Sequence, residues 1–270
     1  MLFIPQGRTA SSNTRFIVPP AGGNASAGSV YSQSTSGYTA YQSLGTAVHD
    51  SYGISLNSSY VYSVSNPARM SGIIGIDYSG GTSYVDYIGP FWFGGTYPYL
   101  DENFYFPMFV PAGASLAIKV SQTGGATVGF FLSAALHEAS AHPESEKVCS
   151  YWETLGITGA DYQGTTMFTG YQLIGTTTRD LQYWDFGINT NDTSHSSTGQ
   201  GWFGLHVGDG VNFDWMGDIG FWTTSSESLF LHRKGSRIEY FVPAGSNIYL
   251  RKWADSSSIS NFYAVVYGMI

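Results

Sequence analysis

From Ser29 onward, apolar and polar positions alternate in short runs broken by glycine, proline and polar turns. The runs are Tyr41–His49, Gly53–Asn57, Tyr60–Val64, Ser71–Tyr78 and Tyr84–Phe93, followed by Phe106–Val110, Ser115–Val120 and Val128–Leu136. Period-two alternation over four to eight residues, rich in aromatic and β-branched side chains, predicts half-buried strands and an all-β sandwich or barrel. No run keeps a helical period. Residues 1–28 differ, with Pro5, Pro19, Pro20, Gly22, Gly23 and Gly28 interrupting any pattern, and only Arg15–Val18 reads as a short strand. We expect an extended N-terminal arm here, long enough to lie along a neighbouring subunit.

The same plan occurs twice. Phe109-Val110-Pro111-Ala112-Gly113 returns as Phe241-Val242-Pro243-Ala244-Gly245. Each copy sits between an apolar strand and an alternating one, and Pro-x-Gly in that setting is a turn. Upstream, Tyr41–Thr46 matches Tyr171–Thr176, Gly53–Asn57 matches Gly187–Asn191, Ile74–Ile76 matches Phe203–Leu205, and Ile88–Trp92 matches Ile219–Trp222. Anchors in one order at similar spacing indicate a tandem duplication. Each unit then holds about eight short strands, the number of a jelly roll, and the Cys…Trp…Cys pattern of an immunoglobulin sandwich is absent. The expected organisation is an arm over 1–28, a jelly-roll sandwich over 29–136, a linker over 137–148 and a second jelly roll over 149–270.

Composition narrows the function. Only 11% of the 270 residues are charged, 16% are aromatic, and the formal net charge is −8. A globular domain averages about 25% charged residues, so polar faces here are built from hydroxyls and amides. Eleven Lys plus Arg argue against a nucleic-acid binder, which needs clustered cations on phosphates. No apolar run is long enough for a membrane-spanning helix. A single cysteine excludes an internal disulfide framework, and the first residues carry no secretory pattern, so synthesis in a cytoplasm is expected.

Candidate chemistry is sparse. His137, Glu138, His142, Glu144 and Cys149 are metal-ligand types, but their spacing fits no zinc motif and they fall in the linker. Asp209, Asp214 and Asp218 could offer three oxygens to calcium, yet the spacing is not an EF-hand loop and an Asp/Gly-rich turn is the simpler reading. No carboxylate pair stands out for glycoside hydrolysis. We therefore expect no catalytic residue, no metal, no cofactor and no enzymatic activity. Trp92, Phe93, Trp202, Trp215 and Trp222 are candidates for stacking on sugars or filling subunit contacts, although core is the default for any single one. The residues put forward for partner binding are Trp92, Phe93, Trp215, Trp222 and Phe16.

Ile74–Gly81, Tyr87–Gly95 and Phe106–Val120 together resemble β-sandwich virion proteins of tailed bacteriophages, which serve as head decoration (cement) proteins or tail components. More distantly, a duplicated jelly roll is similar to the double-jelly-roll capsid proteins of tailless phages. The resemblance implies a non-enzymatic structural protein of the virion, most simply a capsid decoration protein. The alternatives are a major capsid protein or a tail module that binds a receptor or glycan. It implies other virion proteins and further copies of the chain as partners, with a host glycan as a further one, and neither nucleic acid nor membrane. The second unit departs at Asn212–Asp218, where Asp and Trp replace tyrosines.

Overall fold

A computed structural model describes residues 14–17, 29–31, 37–60, 69–93, 102–123, 130–138, 148–156, 161–162, 170–190, 199–223, 230–232, 238–254 and 262–270. Among them every regular element is a strand, and the strands form four antiparallel sheets.

In the first half, β1 (Thr14–Ile17) pairs with β9 (Phe130–Glu138), which pairs with β4 (Ser51–Tyr60), which pairs with β7 (Glu102–Phe106); β2 (Ser29–Tyr31) continues β1 along β9. The facing sheet runs β3 (Gln42–Thr46), β8 (Ser115–Thr123), β5 (Arg69–Asp77), β6 (Val85–Phe93). In the second half, β10 (Trp152–Leu155) and β11 (Asp161–Tyr162) pair with β19 (Phe262–Met269). Next to β19 lies β13 (Leu181–Thr190), flanked by β16 (Phe230–His232) and β17 (Ile238–Val242). Its facing sheet runs β12 (Gln172–Thr176), β18 (Asn247–Ala254), β14 (Gly199–Gly208), β15 (Phe213–Thr223). Counting each split strand once, both halves read 1-8-3-6 over 2-7-4-5. That order is a jelly roll, made twice.

Local details repeat with it. The bulge between Ser43 and Gly45 on β3 recurs between Leu173 and Gly175 on β12. The Ala112 amide donates to Asp50 Oδ1 at 2.7 Å, and the Ala244 amide to Asp180 Oδ1 at 2.8 Å. Gly113 N–H donates to the Ala47 carbonyl and Gly245 N–H to the Thr177 carbonyl, each at 2.8 Å. Both glycines are left-handed, at φ 84° and 82°, which the Pro-Ala-Gly turn requires of its last residue. The pentapeptide is a structural turn, tied to the strand 2–3 corner by an aspartate.

Strand register corrects two of the sequence anchors. β4 and β13 begin at Ser51 and Leu181, and Leu56 and Phe186 face Ala134 and Val266. Gly187 is therefore the counterpart of Asn57, and the Gly-x-x-x-Asn match of Gly53 to Gly187 slides by four residues. Likewise Gly75 faces Ala117 while His206 faces Tyr249, 132 positions on from Ala117, so Gly75 corresponds to His206 and not to Gly204. Short glycine motifs match by chance; ladder partners do not.

Two further boundaries shift. β9 runs to Glu138, so the first residues of the expected linker are strand. Of the expected arm, Thr14–Ile17 is described, and it pairs with Ala134–His137 of the chain's own first sheet.

The second unit has its own core, with Trp184, Phe186, Phe203, Leu205, Leu250 and Val266 at its centre. On the same strands, Trp152, Tyr183, Val265, Tyr267 and Met269 point the other way and join the core of the first unit. The second unit's 1-8-3-6 sheet is thus buried on both faces, which is why β19 reads Tyr-Ala-Val-Val-Tyr without alternation. Phe91, Phe106, Trp152 and Tyr267 form a continuous ring contact across the junction, with centroids 4.8, 5.4 and 4.8 Å apart. Trp152 Nε1 donates to Thr154 Oγ1 at 3.0 Å, and that hydroxyl donates to the Pro90 carbonyl at 2.7 Å. Buried Cys149 makes an isolated bridge to Met108 in the same seam.

Candidate functional site

The two units differ most on the outer face of the 2-7-4-5 sheet. In an antiparallel sheet, residues directly opposite each other share a face. One row across the second unit is Leu173, Tyr249, His206 and Trp215. The next carries Arg251, Gly204 and Asp218, and beyond it Trp253 faces Trp202, which faces Gly220. Leu173, Trp202 and Trp215 are 51%, 41% and 61% exposed, a run of large apolar side chains set toward solvent.

Tyr171 and Phe213 stack flat over the middle of this face, their ring planes 7° apart at 3.7 Å. Tyr171 meets the edge of His206 at 4.9 Å, Phe213 meets Tyr249 at 4.9 Å, and the Arg251 guanidinium lies 5.3 Å over Tyr171. His206 is buried beneath them, and its Nδ1 has no hydrogen-bond partner among the described residues. Burial, then the Arg251 charge, push its imidazole below the ordinary histidine range. Between this cluster and the Trp202–Trp253 pair, whose centroids are 4.4 Å apart, Gly204 contributes no side chain. A Cβ there would come within 3.0 Å of His206 Nε2. The face is a shallow trough, floored by Gly204, with Arg251 on one side and Asp218 on the other.

In the first unit the same positions close on themselves. The matching row is Ser43, Ala117, Gly75 and Asp86. Tyr41, the counterpart of Tyr171, lies over Gly75 and donates its hydroxyl to Asp86, which also pairs with Lys119 at 2.7 Å. Lys119, the counterpart of Arg251, stands 4.8 Å over the Tyr41 ring. Burial acts to raise the Asp86 carboxyl, but Lys119 and Tyr41 outweigh it and hold it below the usual range. Trp215 therefore occupies the place of Asp86, an exposed indole where the first unit has an ion pair.

Of the residues put forward from sequence, Trp215 is at the centre of this face. Trp92 and Phe93 end β6, Trp222 lies near the end of β15, and Phe16 faces Ala135 on β9; their side chains lie outside the described residues. For Trp202 and Trp215 the default of a core position is overturned by their exposure. Sequence reasoning missed Tyr171, His206, Phe213 and Arg251, because only the register brings them together.

The other candidates separate. Asp209 accepts from the Val211 and Asn212 amides at 2.8 and 2.7 Å, and these bonds hold its carboxyl down at about 2. Asp214 faces Val207 and Asp218 faces Gly204, an odd number of positions apart on β14, so they point to opposite faces. His137 bonds Ser55 Oγ through Nε2 at 2.6 Å and packs edge-on to Tyr105, while Cys149 is buried in the seam. His142 and Glu144 lie outside the described residues. No group of three or more His, Cys, Asp or Glu among the described residues is placed to hold a metal.

No family model and no curated protein sequence matches the chain. Among solved structures it is similar to the cowpea mosaic virus top component, naturally occurring empty particles, at 10% identity and TM-score 0.37, over 82% of this chain and 77% of that one. It is also similar to the CBM22-1–CBM22-2 tandem domain of Paenibacillus barcinonensis Xyn10C, at 14% identity and TM-score 0.22, over 92% and 100%. A third, tripeptidyl peptidase 2, is matched at 6% identity and TM-score 0.33, over 97% of this chain and 23% of that one. At these scores none of them decides fold or activity. The class of the protein, a tandem jelly roll, rests on its own strand order.

Proposed function

We propose that this chain is a non-enzymatic structural protein of a virus particle, made in the host cytoplasm and carried in the virion. The observation that carries the reading is the shared core. Two jelly rolls of identical strand order are joined by a buried aromatic seam, so one chain presents two sandwiches that share a core. Jelly rolls are a standard capsid architecture because a closed sandwich leaves loops and sheet faces for lateral packing. Hydroxyl-rich, ion-poor surfaces suit contacts that persist across salt conditions, since exposed ion pairs are screened.

The first form of this role is decoration of a phage head, with further copies and the shell protein as partners; the second is the main shell itself. Mass spectrometry of purified particles tests the role, and copy number separates its forms. Presence at a few hundred copies beside a more abundant shell protein fits decoration, whereas dominance of the particle fits the main shell. Absence from purified particles overturns both.

A further inference from the structure

We propose that the outer face of the second unit's β12-β18-β14-β15 sheet binds a neutral oligosaccharide, laid over Trp202 and Trp215 across the trough floored by Gly204. This goes beyond the structural role and does not depend on it.

Two observations point to a sugar. Trp202 and Trp215 lie on adjacent strands, and their positions along β14 are four residues apart, roughly 13 Å at strand rise. That spacing offers two exposed indoles to non-adjacent residues of one chain, each able to take the apolar C–H face of a pyranose. Between them the trough has hydrogen-bonding groups on both sides, Arg251 to donate to hydroxyls and Asp218 to accept from them, which is how saccharide sites fix orientation.

Charge sets the class. Among the side chains these four strands set on this face, Arg251 and Asp218 cancel, so the site has no cationic cluster to select a sulfated or sialylated chain. The first unit offers the contrast. There the equivalent face is closed by the Tyr41–Asp86–Lys119 network and has no exposed indole at the position of Trp215.

The test is calorimetric titration of the full chain with cellohexaose, xylohexaose, mannohexaose, maltohexaose and a linear β-galactohexaose. At least one is expected to bind with a dissociation constant at or below about 1 mM. Trp215→Ala and Trp202→Ala should each weaken it about tenfold or more. Gly204→Ala should weaken it similarly by filling the floor, while Asp86→Asn on the first unit leaves it unchanged. Thermal midpoints of all variants are measured alongside, so that a fold defect is not read as lost binding. Absence of binding across the panel overturns the proposal, as does binding that survives both tryptophan variants. A change of oligomeric state on Trp215→Ala, with no saccharide affinity in the parent, overturns it too and makes the face a contact between copies.

Discussion

Replacing Trp152 by alanine is the most direct probe of how the two jelly rolls are joined. Trp152 opens the second unit, is 6% exposed, and is held between Phe106 of the first unit and Tyr267 of the second. Its removal deletes a buried indole and takes one ring contact each from Phe106 and Tyr267, a loss of about 3–5 kcal/mol, of which each aromatic contact accounts for about 0.5–1.5. At ~2.1 cal/mol/K per residue, unfolding 270 residues as one unit has an entropy of roughly 0.57 kcal/mol/K. The expected fall in Tm is therefore roughly 5–9 °C. Because the cavity opens in the seam, the second signature is loss of cooperativity: scanning calorimetry should show one transition in the parent and two in the variant. Trp215→Ala is the control, an exposed indole whose loss changes stability by about 0.5 kcal/mol at most. A Trp152→Ala protein that melts as a single transition within about 1 °C of the parent would refute the shared core.

Three other outcomes can be checked. Asp50→Ala and Asp180→Ala each remove the acceptor for a turn amide, and urea denaturation should show a loss of about 1 kcal/mol for each, additive in the double variant because the turns lie in different units. Asp209 titrates at about 2, below the ordinary ~3.9. Its support of the β14–β15 turn is complete above the ordinary value and fades as pH falls through 2, which carboxyl NMR shifts should follow, and Asn212→Ala should raise the midpoint only in part. Lys252 is fully buried and its ammonium is pushed down to about 8 by burial. Between pH 8 and 10 the unfolded chain holds a proton there that the folded chain has shed, so this lysine makes stability rise with pH. Denaturation midpoints of Lys252→Met should lack that rise; an unchanged slope would show that Lys252 is charged when folded.

Much of the fold was legible because alternation and turn residues are local signals. The strands, the Pro-Ala-Gly corner and the duplication were all readable, and the lack of an immunoglobulin cysteine pattern pointed to the jelly roll that the strand order shows. What failed was non-local. Gly53 and Gly187 look alike in sequence, yet each ladder places them four residues out of step. The shared core left one trace, the unbroken apolar run of β19 where β9 reads Phe-Phe-Leu-Ser-Ala-Ala-Leu-His. Trp215 was among the residues nominated as exposed aromatics. The trough around it was not legible, since Tyr171, Gly204, His206 and Arg251 come from two strands and the lead-in to a third, and meet only through register.

The seam also says something about symmetry. The second unit contributes the outside of its 1-8-3-6 sheet, whereas the first contributes Pro90, Phe91, Phe106 and Met108, so the two halves present different surfaces to each other. A contact between unlike surfaces has no two-fold axis and does not close after two copies. A single-unit ancestor joined in this way would have grown head to tail, into a ring or a filament. In this chain the outer sheet position that carries Tyr267 in the second unit carries Ala135 in the first, so the first unit's sheet has no ring there to offer a further copy.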